Sequence, residues 1–154
     1  MPLSLTGAAV AGVFATLLMT ALMYAGKAMG MPMDMPRLLG LMVVGPEYSV
    51  LVYALGLALH LTMGAVFGVL YALNLDMLGL APTVGWGAFC GLVHGGIAGL
   101  MMGAMPNVHP RMGPGQPAPT PGLFGKDLGA MVPAGLVALH VVFGAAVGYL
   151  LGPA

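Results

Sequence analysis

The charges of this chain are confined to three connections, and between them lie four long runs without a single Asp, Glu, Lys or Arg. The runs cover about residues 3–25, 48–73, 82–105 and 128–151. Each is close to the roughly 20 residues that carry an α-helix across a bilayer. Inside lipid a segment must satisfy its own backbone hydrogen bonds, so the pattern predicts four membrane-spanning helices rather than strands or loops. The connections are residues 26–47, a short turn at 74–81, and residues 106–127.

Composition strengthens this reading. The chain has 154 residues, of which 60% are hydrophobic and 5% charged. Soluble domains carry about 25% charged residues, so a polar surface cannot be built here and the bilayer is the expected partner. The formal net charge is zero and no basic block is present, which argues against nucleic acid. Cys90 is the only cysteine, so neither a disulfide framework nor a CxxC metal pair exists. The first run lacks a positive n-region and is long for a signal sequence, so it is expected to be retained.

The four cations, Lys27, Arg37, Arg111 and Lys126, all fall in the two long connections. The positive-inside rule places residues 26–47 and 106–127 in the cytoplasm and both termini outside, in a multi-pass protein of the cell inner membrane. Within the first connection, Asp34 is suited to cap a short interfacial helix over about residues 35–44, with Pro36 in its first turn. Leu38, Leu39, Leu41, Met42 and Val43 would then lie on the membrane interface and Arg37 would reach toward headgroups. The other long connection holds six prolines from Pro106 to Pro121. That composition forbids a helix and suits an extended, solvent-exposed or partner-bound loop.

The chain resembles itself. Ala58-Leu59-His60 with Gly64 and Gly68 returns as Ala138-Leu139-His140 with Gly144 and Gly148, 80 residues later. More weakly, Gly12, Ala15, Leu17, Met19 and Ala21 fall on Gly95, Ala98, Leu100, Met102 and Ala104, which sets Ala11 opposite His94. The expectation is an all-α, integral membrane four-helix bundle of two similar helix-hairpin halves, related in parallel by a pseudo-twofold axis along the membrane normal. Gly64/Gly68, Gly95/Gly99/Gly103 and Gly144/Gly148 form small-residue ridges that let helices approach closely.

The histidines carry the candidate chemistry. Counting residues from the ends of the runs puts His60, His94 and His140 roughly 15–18 Å from one face, near the bilayer midplane. An ionisable side chain there is costly and calls for a partner or a function. Four readings follow from the same residues. The imidazoles hold helices together by hydrogen bonds. They bind a cofactor: His60 and His140 as axial ligands of haem b with Gly64 and Gly144 leaving room for the macrocycle, or His60, His94, His140, Cys90 and Met63 around copper or another metal. They form a proton or ion conduit, although no intramembrane Asp or Glu continues a relay. Or the site takes lipid or quinone. Met31, Met33, Met35, His109 and Met112 in the long connections offer a weaker soft-metal set, since methionine is also common apolar filler. The only serines, Ser4 and Ser49, have no histidine beside them, and no paired carboxylates occur, so no catalytic constellation is recognised.

Ala15-Thr16, Met19-Thr20, the segment Met31-Pro32-Met33-Asp34-Met35-Pro36-Arg37-Leu38-Leu39-Gly40, and the repeated His-Gly-Ala helices resemble a bacterial family of small four-span membrane proteins known only as a domain of unknown function. The resemblance covers nearly the whole chain and implies the four-helix topology, without an activity. The sparse polar chemistry points to a non-enzymatic accessory or anchoring subunit of a larger bacterial membrane assembly, respiratory in one version. Its partners would be other membrane-protein subunits, docked by the loop over residues 105–127.

Overall fold

A computed structural model of the chain describes residues 4–152, and the described residues are all-helical apart from loops and one isolated bridge between Met112 and Ala118. Among the described residues, four helices are long and apolar enough to cross a membrane: α1 (Leu5–Ala28), α3 (Ser49–Met77), α4 (Val84–Met102) and α5 (Val132–Leu151). A short α2 (Met35–Val43) precedes α3, and two 3-10 segments, Met105–Asn107 and Leu123–Leu128, lie between α4 and α5. These elements fit a multi-pass membrane protein.

Capping residues set where the helices begin. The Ser4, Asp34 and Thr83 side chains accept from the backbone N–H groups of Gly7, Arg37 and Trp86 at 3.1, 3.0 and 3.2 Å. Pro36 and Pro133 stand in first turns, where the missing N–H removes no helical bond. The long α3 has 29 residues, which rise about 44 Å, more than the roughly 30 Å of hydrocarbon. Its opening turns are covered by α2 instead. A Cβ added to Gly40 would overlap the Val52 carbonyl, and one added to Gly56 would overlap the Pro36 carbonyl. Leu39 and Leu41 of α2 are buried by the chain itself rather than lying on a membrane interface, while Met42 and Val43 remain exposed.

The long helices pack side by side in the order α3, α1, α5, α4, with α3 and α4 barely touching along their backbones. Glycine sets the close pairs. Gly12 of α1 sits on the Gly64 carbonyl and Gly68 of α3, and Gly68 sits on the Ala8 carbonyl. Gly87 of α4 sits on the Gly144 carbonyl and Gly148 of α5, and Gly148 sits on the Thr83 carbonyl. Helices that meet backbone to backbone gain dispersion contacts that larger side chains would prevent. Gly12 and Gly87 thus make matching contacts, each against the glycine pair of a histidine-bearing helix.

In the expected ridge Gly95/Gly99/Gly103, Gly95 faces His140 and Val137 of α5, whereas the side chains nearest Gly99 and Gly103 are Phe124 and Leu123. A Cβ on Gly99 would overlap the Phe124 ring, and one on Gly103 would crowd the Leu123 side chain. Both glycines thus lie under the 3-10 segment Leu123–Leu128. The reason is the antiparallel run of α4 and α5. Four residues forward on α4, from Gly87 to Gly91, move the contact four residues back on α5, from Gly144 to His140. Continued, that step sets Gly99 opposite Val132, the first residue of α5, and Gly103 opposite Leu128, before α5 begins. Gly103 is itself past the end of α4, at its C-cap, and is exposed.

The loop over residues 105–127 is not extended or free. Arg111 donates from Nη1 to the Leu41 carbonyl at 2.7 Å, and Arg37 donates from Nη2 to the Pro117 carbonyl at 3.2 Å. Met112, Ala118 and Pro121 are buried. Its prolines exclude an α-helix, but its side chains tie it down onto α2. Seven of the eight charged residues stand at this end of the molecule; Asp76 alone is at the other.

Candidate functional site

The polar side chains inside the helices gather where α1, α3, α4 and α5 face one another. Thr20 of α1 meets His60 of α3, with Oγ1 3.3 Å from Nδ1. The Thr20 hydroxyl also donates to the Thr16 carbonyl at 2.7 Å. It has a single proton, so toward His60 it acts as acceptor, and His60 Nδ1 carries the hydrogen. His140 of α5 donates from Nδ1 to the Leu136 carbonyl of its own helix at 2.8 Å. Both neutral imidazoles are thereby left with a lone pair on Nε2. His94 of α4 pairs through Nδ1 with the Tyr71 hydroxyl of α3 at 3.0 Å. Among the described residues, no hydrogen bond reaches Nε2 of any of the three.

The difference between His60 and His140 has a local cause. His60 has Thr20 of α1 beside it, whereas His140 has Gly95 of α4. A Cβ on Gly95 would lie 3.0 Å from the His140 Cβ, so the two residues do face each other. Glycine offers no hydroxyl, and the His140 imidazole turns to the carbonyl one turn back on α5.

Aromatic rings hold His94 in place. Phe67 stacks on it with centroids 3.8 Å apart, and His140 meets it edge-on at 4.7 Å. Tyr71 and Phe143, themselves edge-on at 5.5 Å, close the group. Phe67 and Tyr71 lie seven and eleven residues beyond His60 on α3, a rise of about 10 and 16 Å. His94 and His140 thus meet ring to ring, while His60 is held by Thr20 of α1.

Several expected ligands stand elsewhere. Met63 is 42% exposed, on the outer surface of α3. Cys90 is half-buried one turn before His94 on α4. Among the described residues, no group of three His, Cys, Asp or Glu side chains is placed to hold a metal ion. The glycines expected to make room for haem do not. A Cβ on Gly64 would overlap Thr16 Oγ1, and one on Gly144 would overlap the Gly87 carbonyl. Close helix contact fills the space that a macrocycle needs. In the loop, the His109 imidazole is fully engaged: Nδ1 accepts from the Arg111 N–H at 3.2 Å, so Nε2 carries the hydrogen and donates to the Leu38 carbonyl at 3.0 Å. Met31 packs over Gly26 and Gly135. Sequence reasoning missed Thr20 and Phe67 as members of the cluster. The signal for Thr20 was its place, four residues after Thr16, in an otherwise apolar helix.

This arrangement makes the hydroxyl of Thr20 a measurable contributor to helix association. Thr20→Val removes the acceptor of the His60 Nδ1–H at nearly constant volume. It is expected to lower resistance to SDS-induced unfolding by about 0.5–1.5 kcal/mol, the range of interhelical hydrogen bonds in membranes. Thr62→Val is the control, because its exposed hydroxyl bonds only to the Ala58 carbonyl of its own helix and should be near neutral. Equal losses in the two variants would refute the role of the Thr20–His60 contact.

No protein-family model, curated protein or solved structure matches the chain.

Proposed function

We propose that this chain is a non-catalytic subunit of a larger membrane assembly, and that it receives a transmembrane helix of another subunit along the seam between α3 and α4. The observation that carries this reading is the half-buried His94, whose Nε2 has no partner among the described residues. An imidazole nitrogen without a partner in a membrane-spanning helix is costly, and a polar group on a neighbouring helix removes that cost. The helices that frame the seam also have the most surface to cover. Within their spans α3 and α4 are each 22% buried, against 39% for α1 and α5. The loop over residues 105–127 is engaged with α2, which favours docking within the bilayer over docking through the loop.

Two finer features belong to the same proposal. The helix pairs α1–α3 and α4–α5 are halves of a duplicated unit, a reading supported by the matching contacts of Gly12 and Gly87. The end bearing Lys27, Arg37, Arg111 and Lys126 faces the cytoplasm of the host cell, as their sign favours.

The test places a photo-crosslinking residue at Val93 or Ile97, both exposed on α4 beside His94, in the native membrane. One adduct of discrete mass is expected at these positions, absent at Val10 on α1 and weakened by at least threefold in His94→Leu. A ladder of lipid adducts only, or an adduct at twice the mass of this chain, would overturn the assignment of a different subunit.

A further inference from the structure

Beyond docking, the geometry points to a site for one soft monovalent metal ion, Cu(I) in chemistry, at a cavity lined by Met33, Met35, Met102 and Met112. These residues come from three separate stretches of chain: the approach to α2, the end of α4 and the long loop. They line one cavity of about 60 Å3 at the charged end of the molecule. A water needs roughly 10–15 Å3 of such space, so one ion fits. Four of the eleven lining residues are methionine, against fifteen of 154 in the chain, so the general abundance of methionine does not account for the lining.

Packing alone does not require this arrangement. Methionine is the side chain best able to reshape itself into a gap, yet here four of them border a space that stays open. Met33, Met102 and Met112 are each at most 7% exposed, so their sulfurs are not lost among water contacts. Three prolines and two leucines make up most of the remaining wall and bring no competing donor atom.

The class of ion follows from the donors. Thioether sulfur is soft and neutral, and it selects Cu(I) over hard or borderline divalent cations. The one carboxylate at the cavity, Asp34, is already paired with Lys27 and accepts from Tyr53 Oη at 3.0 Å and the Arg37 N–H at 3.0 Å. Arg37 also lines the cavity. The surroundings therefore lack the surplus negative charge that a divalent ion demands, whereas a single positive charge on soft sulfur is tolerated.

The test uses the full chain carrying Cys90→Ser, in detergent, titrated with Cu(I) under ascorbate against a chromophoric chelator. One Cu(I) per chain is expected, with a sulfur-only first shell in X-ray absorption. Met33→Leu, Met102→Leu and Met112→Leu are each expected to weaken binding by at least tenfold. Met19→Leu changes a buried methionine that does not line the cavity and should leave affinity unchanged. Absence of stoichiometric Cu(I), or a first shell rich in nitrogen that disappears in His94→Leu, would overturn the site. If a Met→Leu variant loses its helical circular dichroism, the first shell of the unaltered methionine set decides alone.

Discussion

Leucine in place of Gly12 or Gly87 is expected to abolish the folded arrangement of the long helices, and alanine at either position to cost about 2–3 kcal/mol. In both places the added Cβ meets a backbone carbonyl, of Gly64 or of Gly144, rather than the movable end of a side chain. An extra methylene in a well-packed interior costs about 1–3 kcal/mol even where neighbours can shift. Here relief requires one helix to move away from its partner along its whole length, which forfeits the dispersion contacts that hold helices together in lipid. The control is Gly96, on α4 between Gly95 and Ile97, where an added Cβ meets nothing within 4 Å. Gly96→Ala should be neutral or stabilising by up to about 1 kcal/mol through helix propensity. SDS titration followed by circular dichroism measures the three alanine variants. Tolerance of alanine at Gly12 and Gly87 equal to that at Gly96 would mean that the crossings are not made by these glycines.

The same glycines mark the limit of what the chain declares in sequence. Four long apolar helices are legible because hydrocarbon imposes one requirement, a stretch without charge that satisfies its own backbone. Their ends are less so. The second connection was expected to begin at Asn74, but α3 runs on to Met77, with the Asn74 amide donating to the Leu70 carbonyl at 2.7 Å. Register is harder still, since a helix rich in glycine and alanine matches another at several shifts. Spacing alone does not choose among them. Spacing also cannot say what a small-residue ridge receives: Gly95 takes a helix, whereas Gly99 and Gly103 take the side chains of Phe124 and Leu123. The histidines announced a polar interior but not its connections. Thr20, Phe67 and Phe143 reach the imidazoles through the crossing of helices, a quantity with no counterpart in residue spacing. In the proline-rich loop, composition states what the backbone cannot form and is silent on which carbonyls its side chains reach.

That loop supplies the second large effect. Arg111→Met is expected to lower the local stability of the loop by about 1.5–3 kcal/mol, the contribution of a hydrogen bond to a charged donor. The guanidinium donates to the Leu41 carbonyl near the C-terminal end of α2, where helix carbonyls lack intrahelical partners and positive charge is favoured. Methionine keeps the apolar length of the side chain and removes only the donor and the charge. The effect extends beyond one bond. The backbone N–H of Arg111 orients the His109 imidazole toward the Leu38 carbonyl, and its carbonyl accepts from the Ala118 N–H at 3.0 Å. Loosening Arg111 therefore weakens the small bridge between Met112 and Ala118 as well. Each 1.4 kcal/mol is a factor of ten in the open population, and protease cleavage follows that population when reclosing is fast. Thermolysin should then cut near Met112 about 10–100 times faster in Arg111→Met than in the parent chain. Cleavage near Leu78, in the short turn at the other end, should be unchanged. An unaltered rate at Met112 would show that the loop is held by burial of Met112, Ala118 and Pro121 alone, without help from the clasp on α2.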